Sequence, residues 1–149
     1  MTFCALSEAK GMIIKMKVLK PDHLGIAVKD LDEGIKFYTD ILGLKLAGRE
    51  TLAARNVEIA FLECGETELE LVQPTSPDSA VARHIEKNGE GLYHLALRVD
   101  NIEEALVYLK QKGVKLRDET PRLGGGEAKI AFLEPESAFG VTLELVEKK

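Results

Sequence analysis

Over residues 57–63, Val57, Ile59 and Phe61 alternate with Glu58, Ala60 and Leu62, the period-two signature of a strand with two different faces. Short apolar runs at 24–28, 44–50 and 68–72 predict three more strands, and 93–99, 115–120, 129–134 and 141–146 predict a second set of four. Leu31, Ile35, Tyr38 and Leu42 recur at helical spacing behind Asp30 and Glu33, a capping pair, and Gly43 stands where a helix stop is expected. A second helix is predicted over 102–112, with Asn101 and Glu104 as its cap and Gly113 as its stop. Pro74-Thr75-Ser76-Pro77 interrupts the pattern, and a linking helix over 79–87 closes at Asn88-Gly89.

The two series say the same thing twice. Asp22-His23-Leu24-Gly25-Ile26-Ala27-Val28 opens the first and Tyr93-His94-Leu95-Ala96-Leu97-Arg98-Val99 the second, each followed by a capped helix. Ala60-Phe61-Leu62-Glu63 returns as Ala131-Phe132-Leu133-Glu134, and Leu69-Glu70-Leu71-Val72 returns as Leu143-Glu144-Leu145-Val146. Two copies make a duplication, not a solenoid array. The expected fold is α+β: two tandem βαβββ modules, about 18–74 and 91–147, joined by a linking helix at 77–89 in one curved mixed sheet. Residues 1–17 read as an N-terminal extension outside the duplicated unit, with Met12 and Met16 as alternative starts.

The duplication also repeats a set of polar residues. Each copy supplies one histidine beside its first strand, His23 or His94, and one glutamate flanked by leucines, Glu70 or Glu144. Strand periodicity puts each glutamate on the face opposite its leucine neighbours. A single Leu-Glu-Leu strand needs no more than a dry side and a wet side. Two copies related by pseudo-twofold symmetry bring two imidazoles and two carboxylates together, an N2O2 donor set for a divalent cation. Without the cation, the carboxylates would repel each other. Imidazole with carboxylate suits Zn, Co, Ni, Mn or Fe(II), and an octahedral ion would keep positions open for a ligand.

Composition narrows the partners. The 149 residues carry a net charge of −5, which argues against nucleic acid or an anionic membrane surface as the main partner. The 30% charged fraction, rich in Lys and Glu, points weakly toward a thermophilic source. Cys4 and Cys64 lack C-x-x-C spacing, and with no signal-like segment or membrane-length apolar run the expected location is the cytoplasm. Gly124-Gly125-Gly126 is a loop and not a P-loop, because no Lys-Ser/Thr follows it.

On these residues the chain resembles the vicinal oxygen chelate superfamily, and within it most closely the methylmalonyl-CoA epimerase family. The segments that carry the likeness are Asp22-His23-Leu24-Gly25-Ile26-Ala27-Val28, Glu86-Lys87-Asn88-Gly89-Glu90-Gly91-Leu92-Tyr93-His94, Asp118-Glu119-Thr120-Pro121-Arg122 with its glycine loop, and Gly140-Val141-Thr142-Leu143-Glu144-Leu145. The resemblance implies that His23, Glu70, His94 and Glu144 are metal ligands and that an acyl-CoA is the substrate. It implies Glu58 as a catalytic base, Glu144 as a ligand that also carries a proton, and a homodimer. Glu58 is where the repeat breaks, since copy two has Lys129 there, and asymmetric proton chemistry needs such a break. Glu134-Pro135-Glu136-Ser137 departs from the family's common His-Pro-Lys-Ser. A glyoxalase I-like lyase shares the metal and enediolate logic, and a non-catalytic ligand-binding protein of the same fold is the other alternative. An extradiol dioxygenase would want three protein ligands where four are implied.

Overall fold

The computed structural model describes residues 15–149, so Cys4 and the expected extension up to residue 14 lie outside the described residues. Eight strands run in the order β2-β3-β4-β1-β5-β8-β7-β6 in one sheet. They are β1 Val18–Ala27, β2 Lys45–Leu52, β3 Val57–Cys64, β4 Thr67–Pro74, β5 Gly91–Val99, β6 Arg122–Leu123, β7 Lys129–Phe132 and β8 Leu143–Glu147. The order reads identically from either edge once β1 to β4 are exchanged for β5 to β8, as a duplicated chain requires. The sheet is mixed: β1 pairs parallel with β4, while β2–β3, β3–β4, β6–β7 and β7–β8 are antiparallel.

Among the described residues, three α-helices accompany the strands: α1 Leu31–Lys36, α2 Ala80–Asn88 and α3 Ile102–Gln111. The expected caps form. Asp30 accepts from the Glu33 N–H at 3.1 Å, Asn101 from the Glu104 N–H at 3.0 Å, and Ser79 from the Ala82 N–H at 2.9 Å. Each satisfies an amide that has no carbonyl partner in a helix's first turn. The first helix differs from its pattern, since a π-helical turn over Phe37–Ile41 takes over after Lys36. There Thr39 Oγ1 donates to the Ile35 carbonyl at 2.7 Å.

The chain forms two compact units. One comprises Pro21–Ala96 with Gly124–Gly126; the other comprises Leu97–Leu123 and Glu127–Lys149 with the described residues before Pro21. The division falls inside β5, whose first half carries His94 over Gly25 of β1. In the first unit the sheet has two distinct faces. Leu31 and Ile35 of α1, with Tyr38 of the π-helical turn, cover Ala60, Leu62, Leu69 and Leu71 on one of them. On the other, Val81 and Ile85 of α2 cover Ala27, Val57, Ile59 and Val72. Full burial of Leu31, 1% exposed, contributes about 2 kcal/mol to holding α1 on the sheet. In the second unit Ile102, Ala105 and Leu106 of α3 pack on Ala131, Leu133 and Leu145.

One expected strand is absent. Residues 115–120 make only a single bridge, Leu116 with Leu133, and the strand that pairs with β7 is the two-residue β6 further on. The physical reason lies in Arg117 and Asp118. Both of their N–H groups bond the Phe132 carbonyl, at 2.9 and 3.1 Å, and the Asp118 carboxylate takes the Phe132 N–H at 2.8 Å. A side chain thus occupies the ladder position, and Pro121 has no N–H to resume it.

Replacing Asn101 with Ala should lower stability by about 1 kcal/mol, read as a lower urea midpoint at unchanged slope. An unchanged midpoint would show that this cap does not support α3.

Candidate metal centre and active site

The register of the first unit decides which side chains meet. Gly25 pairs with Glu70 on β4, Glu70 pairs with Phe61 on β3, and His23 lies two residues before Gly25, so all four point to one face. This is the face that α2 covers at its apolar end, through Ala27, Val72 and Ile59. His94 reaches it from β5 because position 25 has no side chain: a Cβ there would lie 2.6 Å from His94 Nδ1 and 2.8 Å from Nε2. Glycine at 25 is the space that the imidazole occupies.

The polar end of this face is almost dry. Asp22, His23, Glu70 and His94 are 1%, 4%, 7% and 6% exposed. His23 Nδ1 lies 2.7 Å from Asp22 Oδ2 and 3.1 Å from Glu70 Oε2. Facing two carboxylate oxygens, Nδ1 carries the ring's proton, which leaves the lone pair of a neutral ring on Nε2. That Nε2 stands 3.0 Å from His94 Nε2. Two nitrogens bound to one ion at about 2.1 Å and at right angles would be about 3.0 Å apart, so the spacing fits a shared cation. Asp22, His23 and Glu70 form one group of candidate metal ligands, and His23, His94 and Glu144 form another. Glu144 on β8 is 2% exposed. Buried imidazole and carboxylate at these spacings make a divalent metal site, with Asp22 standing beside His23 and Glu70 where the sequence suggested no ligand.

Glu58, expected as the base, stands on the other face of the sheet. On β3 it alternates with Ile59 and pairs with Gln73, so it points to the face that α1 covers, opposite Phe61 and Glu70. Arg49 bonds it at 3.1 Å and bonds Asp32 of α1 at 2.7 Å. These two hydrogen bonds, Asp32 first, hold the Arg49 guanidinium above its ordinary range. Arg49 therefore ties helix to sheet, and Glu58 holds Arg49 in place. Sequence reasoning left Asp22, Gly25 and Glu50 without roles. Asp22 was legible as a carboxylate beside a candidate ligand; the other two depend on cross-strand register.

The acidic loop that replaces His-Pro-Lys-Ser is balanced locally. Glu134 pairs with Arg117 at 3.2 Å and Glu136 with Lys115 at 3.3 Å, while Ser137 Oγ accepts the Lys115 N–H at 3.0 Å. No helix among the described residues is long and apolar enough to cross a membrane.

Gly25→Ala should push the His94 ring aside and weaken divalent-metal affinity by about 10- to 100-fold while secondary structure is kept, a split that metal titration and circular dichroism read together. Equal affinity would show that His94 is not held by this contact. Glu58→Gln should leave metal affinity and turnover unchanged; a large loss of turnover would return Glu58 to the chemistry.

Residues 22–132 match the glyoxalase/bleomycin resistance protein/dioxygenase superfamily. An uncharacterised protein of Bacillus subtilis is 40% identical over 86% of this chain and 91% of its own length. The mitochondrial methylmalonyl-CoA epimerase of Homo sapiens is 34% identical over 83% of this chain and 71% of its own. A solved structure of methylmalonyl-CoA epimerase in complex with methylmalonyl-CoA and NH4+ superposes with a TM-score of 0.84 at 33% identity, covering 89% of this chain and 96% of that one. With the duplicated sheet and its buried His/Glu centre, these likenesses mean that the chain belongs to the glyoxalase/bleomycin resistance protein/dioxygenase superfamily and, within it, to the methylmalonyl-CoA epimerase family.

Proposed function

We propose that this chain is an isomerase that interconverts the (R) and (S) forms of methylmalonyl-CoA, and that His23, Glu70, His94 and Glu144 hold its divalent metal. The observation that carries this reading is the pair of imidazole Nε2 atoms 3.0 Å apart, with His23 oriented by Asp22 on its other nitrogen. The repeat supports Glu144 as the counterpart of Glu70, and the family supports the substrate.

Epimerisation moves one proton off the carbon between a thioester and a carboxylate and returns one to the other face. A glutamate of pKa about 4.3 is a weak base for this task, since a mismatch of roughly ten units costs about 14 kcal/mol at ~1.36 kcal/mol per unit. When bound, a divalent cation supplies Lewis-acid stabilisation of the charge that develops on the thioester oxygen. The chain's own side chains do the rest. Asp22 fixes the His23 tautomer, Gly25 seats His94, and the dry walls exclude water that would weaken every charge interaction inside. Glu144 is assigned to carry a proton on one face of the substrate, which leaves the other face to a second carboxylate. The assembly that the family implies is a homodimer, which light scattering would register as twice the 16.4 kDa chain mass.

The test is loss of the α-proton from methylmalonyl-CoA in deuterated water. Metal-loaded protein should exchange and epimerise, chelation should reduce both by at least about 10²-fold, and returned metal should restore them. Bound metal without exchange, together with proton transfer in a glutathione hemithioacetal, would replace this reading with a glyoxalase I-like one.

A further inference from the structure

With Glu58 on the far face, the proton chemistry still needs a carboxylate on the metal-bearing face, and the register supplies one. Glu50 on β2 pairs with Ile59, which pairs with Val72 on β4, two residues from Glu70. Its side chain therefore shares the face of Phe61, Glu70 and His23. The exposure pattern agrees: Gly48, Glu50 and Leu52 are half-buried where Arg49 and Thr51 are exposed, and Leu52 packs into the apolar end of that face.

Glu50 is also fixed in place. Its Oε1 accepts the Gly126 N–H at 2.8 Å. The adjoining Gly125 lies so close to Phe61 that a Cβ there would be 3.1 Å from Phe61 Cζ and 3.6 Å from Glu50 Oε1. The glycine loop thus rests on the metal-bearing face and orients the carboxylate with Oε2 left for a substrate. Two strand spacings of about 4.8 Å and two residues of about 3.4 Å put the Glu50 and Glu70 Cα atoms about 12 Å apart along the sheet.

We infer that Glu50 is the carboxylate that transfers the α-proton on the face of the substrate opposite Glu144. The assignment rests on the epimerase reading above. In the forward step the α-C–H bond breaks, the proton passes to Glu50 Oε2, and the bonding electrons enter the enolate. A proton from the protonated Glu144 then forms the new C–H bond on the other face, and the two carboxyls exchange roles for the opposite configuration.

Exchange measured separately from each configuration, in metal-loaded protein in deuterated water, separates this role from a structural one. Glu50→Gln should lose wash-in from one configuration by about 10²- to 10⁴-fold, keep it from the other, and lose net epimerisation, with metal stoichiometry unchanged. Glu50→Asp, which keeps the charge but retracts it, should show the same one-sided loss at smaller size. Equal losses from both configurations, or a rise in KM alone, would show that Glu50 only latches the glycine loop and would overturn the proposal. If the parent protein exchanges neither configuration, the epimerase reading itself fails and this assignment falls with it.

Discussion

The approach of two imidazoles, Nε2 to Nε2 at 3.0 Å within walls that are almost fully buried, is the constraint that the rest of the molecule serves. Two neutral rings can share that space only if a proton or a cation lies between their lone pairs. Asp22 directs the His23 proton to Nδ1, and Gly25 gives His94 room to stand over β1. Neither residue offers much to the stability of the fold. Burying Asp22 and Glu70 beside His23 has a desolvation cost that their hydrogen bonds and a bound cation offset. A fold optimised for stability alone would fill this face with the apolar residues that line its other end.

Strand parity then sorts the chemistry. The sheet of the first unit carries α1 on one face and the metal centre with α2 on the other, and each step along a strand moves a side chain between them. Glu58 and Glu50 differ in this respect alone. Both are glutamates on neighbouring strands, yet Glu58 pairs with Arg49 under α1 while Glu50 faces the metal-bearing side and takes its hydrogen bond from the glycine loop. The repeat breaks where the asymmetry of the reaction requires it, on β2 and β3, whose counterparts β6 and β7 are shorter.

Much of this was legible in the chain. The caps at Asp30 and Asn101, the two histidine strands and the paired Leu-Glu-Leu motifs are local or repeated signals, and both kinds survive without knowledge of the fold. The strand expected at 115–120 failed because a side chain, Asp118, took a hydrogen bond that periodicity assigns to backbone. The face on which Glu58 stands was illegible for a different reason. Alternation over 57–63 separates Glu58 from Phe61 correctly, but which set faces the metal is decided by the pairing of Phe61 with Glu70. That register is a property of two strands and is written in neither. Glu50 and Gly25 were illegible for the same cause, since their roles come from Ile59, Gly126 and His94 across the sheet.

The metal centre stands or falls on whether His23 and His94 share one ion through their Nε2 atoms, side by side. X-ray absorption of the cobalt-loaded protein measures this directly. Two imidazole nitrogens per cobalt at about 2.1 Å among oxygen ligands are expected, falling to one in His94→Ala. One imidazole or none in the parent protein, with metal bound, would contradict it.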